Sequence, residues 1–139
     1  MVRKVKKRTI SLALIALLVL TGALMTTGTA APRPVMRLAT PQLVSPRNGA
    51  TLSSIPFYYD FECRAVNGVD YYQIELQYAT LVGKNSIEWT SGGTWGSDDP
   101  TWTLGFNKVA LWRWRVMAIA TDPLLNSYPS KWRTFTVVE

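Results

Sequence analysis

The run Tyr72-Gln73-Ile74-Glu75-Leu76-Gln77-Tyr78 sets four large apolar or aromatic side chains two residues apart, with an amide or carboxylate between each pair. Successive side chains on a strand point to opposite faces, so this run has one face suited to a core and one suited to water. The same alternation returns in Phe57, Tyr59, Phe61 and Cys63, interleaved with Tyr58, Asp60 and Glu62. It returns again in Trp102, Leu104 and Phe106, and in Trp112, Trp114, Val116 and Ala118, with Arg113 and Arg115 on the opposite phase. Nothing in the body keeps a helical period, and no internal repeat is present. A chain patterned in this way buries its apolar faces by stacking one sheet on another.

Turn signals separate the runs. Strands are predicted at Gln42–Ser45, Phe57–Cys63, Tyr72–Tyr78, Thr101–Phe106, Leu111–Thr121 and Lys131–Val138, with a further short one at Ser86–Thr90. Pro41 and Pro46 bracket the first and mark it as an edge, because proline cannot donate to a ladder. Asn48-Gly49 and Asn67-Gly68 supply the positive φ of tight turns. Ser91 to Pro100 holds three glycines, two aspartates and a proline, and is predicted to be a loop carrying Trp95. Asp122-Pro123 and Asn126–Pro129 predict a hairpin loop before the last strand.

The chain carries fifteen basic and nine acidic residues, a net charge of +6. Five of those basic residues, Arg3, Lys4, Lys6, Lys7 and Arg8, precede an uncharged apolar run from Ile10 to Met25. Small residues from Thr26 to Ala31 and then Pro32 follow. A cationic start, an apolar stretch and a small-residue exit form an export signal, with cleavage expected after Ala30 or Ala31. An uncleaved anchor spanning residues 10–31 is the other reading, and membrane contact is expected only there. Both place the body outside the cytoplasm, at the cell surface or beyond it. Residues 1–30 are thus read as signal or anchor helix, 31–39 as linker, and 40–139 as the folded domain. Without the leader ten basic residues face nine acidic ones, so the body has no clustered footprint for nucleic acid. The single Cys63 cannot close an intrachain disulfide and is read as a small buried residue.

In order and spacing, these motifs resemble bacterial fibronectin type III-like domains. Pro41-Gln42-Leu43-Val44-Ser45-Pro46-Arg47-Asn48-Gly49 is similar to the proline-bounded start of many such modules. Tyr72-Gln73-Ile74-Glu75-Leu76 resembles their third strand. Trp102-x-Leu104-x-Phe106, followed by Trp112 and by Trp114-Arg115-Val116, resembles the corner between their fifth and sixth strands. Ser130-Lys131-Trp132 and Thr134-Phe135-Thr136-Val137 resemble the last strand. The resemblance spans Pro41 to Val138 and implies a seven-stranded, immunoglobulin-like β-sandwich. Two departures stand out: Phe61 sits where a core tryptophan is usual, and Trp112 where a tyrosine usually bonds nearby backbone.

No catalytic inventory is present. The chain has no histidine, which removes Ser-His and Cys-His relays and His-bearing metal sites. Asp60 with Glu62, and Asp98 with Asp99, read as solvated pairs rather than as acids facing one cleft. No cofactor or metal is expected. The aromatic load is the remaining lead, since all six tryptophans lie in the body. Trp102, Trp112 and Trp114 fall on inward phases and are assigned to the core. Trp95 is the foremost binding candidate, either a platform for a sugar ring or apolar patch, or a lid folded back on the core. Trp89, Trp132, Arg113 and Arg115 complete the candidate set, with Arg113, Arg115 and Arg133 expected to interleave with Trp132 on one exposed face. The expected function is a non-enzymatic module that binds an extracellular protein or glycan. The alternative is a structural subunit that assembles with copies of itself.

Overall fold

The computed structural model describes residues 28, 30–32, 34–53 and 58–139. Most of the expected leader, and Phe57, lie outside them. Val35–Glu139 forms one compact unit. Its strands are β1 (Leu43–Ser45), β2 (Ala50–Ser53), β3 (Tyr58–Cys63), β4 (Tyr71–Val82), β5 (Ser86–Ser97), β6 (Thr101–Gly105), β7 (Ala110–Ile119) and β8 (Arg133–Val138). A 3₁₀ turn, Pro123–Leu125, is capped by the Asp122 carboxylate accepting from the Leu124 amide.

Two sheets form, one in the order β1-β3-β6 and the other β2-β8-β7-β4-β5. The fold is therefore an all-β sandwich, with β1 on an edge as its flanking prolines require. Eight strands rather than seven are described. The added one, β2, runs parallel to β8 from Ala50↔Phe135 to Ser53↔Val138. By sequence Ala50 ends the turn at Asn48-Gly49 and Thr51 to Ser53 carry no assignment, because four residues without strong alternation give no signal of a parallel partner 85 residues away.

The inward phases pack as the alternation demands. Phe61, Ile74, Leu76, Trp114, Val116, Phe135 and Val137 are fully buried. Phe61 meets Trp114 edge-on at 5.1 Å between centroids and Phe135 at 5.5 Å, so the smaller ring still anchors the space between the sheets. Cys63 is buried as expected, and desolvation, aided by the neighbouring Glu62 carboxylate, pushes its thiol up to about 11. At the chain corner, the Trp112 Nε1–H donates to the Lys108 carbonyl at 3.1 Å. Indole thus makes the backbone bond that a tyrosine hydroxyl usually makes in immunoglobulin-like sandwiches.

One correction matters most for the surface. The segment predicted as a loop is strand. β5 continues through Gly92 and Gly93 to Ser97, and pairs with β4 throughout. The ladder absorbs one extra residue, since Leu76 faces Gly93 while Gln77 faces Ser91, leaving Gly92 as a bulge. The far end of this hairpin, from Ala79 to Val82 and Ser86 to Thr90, continues after β7 stops pairing at Tyr78↔Trp112. It exposes Leu81, Val82 and Ile87.

Candidate functional site

Trp89 and Trp95 lie six residues apart, so an unbroken strand would send both to one face. The Gly92 bulge reverses the phase between them. Trp95 stands opposite Ile74, a core residue, whereas Trp89 stands opposite Ala79 on the outward phase. Gly92 has a steric reason to be glycine, because a Cβ there would lie 2.5 Å from Trp112 Cζ3. Gly93 has two reasons: its φ is +131°, and the Trp95 ring covers the space a Cβ would need.

On the outer face, Trp89 joins a stack. The Arg113 guanidinium lies 4.1 Å from the Trp89 ring centroid and 4.3 Å from that of Trp132. Arg115 lies 4.3 Å from the centroid of the same Trp132 ring. Both cations are held from β4. Arg113 donates through Nε and Nη2 to Gln77 Oε1, and Arg115 donates from Nε to Glu75 Oε2 while pairing with it at 2.6 Å. Burial among the rings, then the like charge of Arg115, lowers the Arg113 pKa from its ordinary value. With both guanidinium groups hydrogen-bonded from β4 and lodged against indole rings, the stack links β4, β5 and β7. Each exposed stacking contact contributes about 0.5–1 kcal/mol.

Arg133 does not join this stack, contrary to expectation. Its guanidinium crosses to the other sheet and donates to the carbonyls of Leu43, Val44 and Pro46, at 2.7, 3.0 and 3.2 Å. The reason is position: β8 opens beside β1, where unpaired carbonyls offer stronger partners than an exposed ring face. Ser127 was not singled out from the sequence, and Ser130 only as part of the Ser130-Lys131-Trp132 motif. Their hydroxyls accept from the Ala118 and Val116 amides, while their own amides donate to the carbonyls of the same residues. Three-residue spacing of two serines before the last strand was the signal available.

Trp95 is 42% exposed although it faces inward, because β5 and β6 are the outermost strands of their sheets and none of the described residues closes the gap between them. There the indole lines a cleft of about 260 Å³ with Gly92, Thr103, Leu104, Gly105, Phe106, Asn107 and Trp112. None of these eight residues is charged. Trp95 is thus neither on a loop nor sealed into the core. Trp89, Trp132, Arg113 and Arg115 come together on the opposite face of the same sheet. Among the described residues no three acidic, cysteine or histidine side chains cluster as a metal group would.

No family model matches the chain, and no curated protein matches it. Among solved structures, the fn3 domain of human collagen alpha-1(XX) chain is similar at 16% identity over 78% of this chain and 86% of that one, with a TM-score of 0.41. A likeness of that degree adds nothing to what the strand order says by itself.

Proposed function

We propose that this chain is a fibronectin type III-like interaction module, exported by its N-terminal leader and acting at the cell surface or outside it. It binds an extracellular protein or glycan, without catalysis, through the open side of the sandwich. The observation that supports this is the Trp95 indole, kept 42% exposed at an uncharged cleft. Exposed aromatic residues beside a concavity are favoured anchors for partners. The test has two parts. Mass spectrometry of exported protein should find Ala31 or Pro32 as the first residue. Wild-type domain on beads should capture a surface partner that Trp95→Ala does not, and equal capture by both forms would remove Trp95 from the reading.

A second reading, a subunit of an extracellular assembly, has one observation in its favour. β5 is a twelve-residue outer strand with a single charge, Glu88, and no proline. Apart from the Gly92 bulge, such an edge carries little of the charge and proline that usually guard against pairing with another copy. A native mass that grows with protein concentration would favour the assembly over the free binder.

A further inference from the structure

We infer that the cleft between β5 and β6 is a subsite for a single neutral sugar ring, stacked on Trp95. This rests on the binding reading above and names its ligand. Four observations lead to it.

The first is charge. Every side chain around the cleft is uncharged, so an anion, a cation or a zwitterionic headgroup finds no counter-charge there. The second is size. At about 260 Å³ the cleft falls below the usual range for drug-sized ligands, roughly 300–1,000 Å³, and suits one ring rather than an extended molecule.

The third is the pairing of an aromatic wall with free polar groups. An indole face is electron-rich and attracts the weakly positive C–H groups on the flat side of a pyranose. Its Nε1–H has no protein partner among the described residues, and neither has the Asn107 amide. Thr103, on the outward phase of β6, spends its hydroxyl proton on Asp60 on that face. A hydroxyl-rimmed ring can use the indole donor and an amide offering both a donor and an acceptor. A purely apolar side chain would leave both unused.

The fourth is a fixed wall. The Trp95 ring lies over Gly93 and fills the space a Cβ would need there, so the indole is held by its own strand. The apolar floor, Phe106 with Trp112 packed edge-on at 5.0 Å, is fixed by the core beneath. The site is therefore formed before any ligand arrives.

The probes are methyl glycosides of glucose, galactose, mannose and N-acetylglucosamine, with their β-linked oligomers, titrated into the folded domain. The readout is the indole N–H resonances of the six tryptophans. The Trp95 signal, identified by its loss in Trp95→Phe, should shift and saturate with a dissociation constant on the order of 1 mM for one ring. Those of Trp102 and Trp114 should stay in place. Trp95→Ala should weaken binding at least tenfold, and Asn107→Ala, an exposed change that leaves the core intact, by about threefold. The proposal is overturned if no probe saturates by roughly 50 mM, or if Trp95→Ala binds as well as wild type. It also falls if the partner captured in the bead experiment is held equally well after its glycans are removed. In that last case the binding reading survives and the occupant is a peptide.

Discussion

The two lateral sides of this sandwich are finished in opposite ways. Where β1 meets β8, Arg133 of one sheet grips three carbonyls of the other, and β2 adds a parallel strand beside it. The Asn48 side chain accepts from the Thr134 amide, and the Gly49 amide donates to the Thr134 carbonyl. Where β5 meets β6, no comparable link joins the sheets among the described residues, and an indole stands half in water. A side that is bonded shut stabilises the fold. A side left open offers its interior to something else.

The scale for that contrast comes from the shared core. Trp114→Ala, which empties the centre of both halves, should cost about 3–5 kcal/mol by denaturant titration. Next comes a pH test of the closed side, where Cys63 pairs with Leu43 of β1. Its folded thiol holds a proton to about 11 against 9.0 for an ordinary one, so its contribution is complete below pH 9 and lost as pH rises through about 11. The loss has a slope of at most about 1.4 kcal/mol per pH unit. Cys63→Ala should remove that part of the alkaline decline, and an unchanged profile would mean the thiol is not shielded there. Arg133→Ala should cost about 2 kcal/mol, as expected for charged hydrogen bonds lost together. Trp95→Ala, on the open side, should cost less, about 1 kcal/mol, because the ring is 42% exposed and surrenders only part of a buried aromatic's contribution. Equal losses for the last two substitutions would erase the distinction between the sides.

Much of the fold was readable because burial imposes period two wherever one face is wet. Trp112, Trp114, Val116 and Ala118 point inward, and Arg113 and Arg115 outward, as their spacing requires. The stretch around Trp95 was misread because three glycines within five residues look like a loop by composition. In the fold, two of them serve a bulge and its packing. Composition reports which residues tolerate a turn; it does not report that a neighbouring tryptophan ring excludes a Cβ. Arg133 was misplaced for a related reason. Its partners are carbonyls about 90 residues away in sequence, and no local pattern names them. The cleft itself was not legible, since it exists only because two separate sheets both end there.

The Gly92 bulge gives the molecule a discrete kind of variability. Between Trp89 and Trp95, six residue steps of β5 run against five of β4, and the surplus is what places the two indoles on different faces. Losing Gly92 would leave five against five, with Ala79↔Trp89 and Ile74↔Trp95 both kept and each indole on its present face. Flattening the bulge at unchanged length would set six against six. If the pairing at Leu76↔Gly93 held, Trp89 would then turn away from Arg113 to the inner face; if the distal pairing held, Trp95 would leave the cleft for the outer one. The faces are therefore buffered against a shortened strand and sensitive to a straightened one. Relatives of this chain should be sorted by the presence of this bulge before their tryptophans are compared.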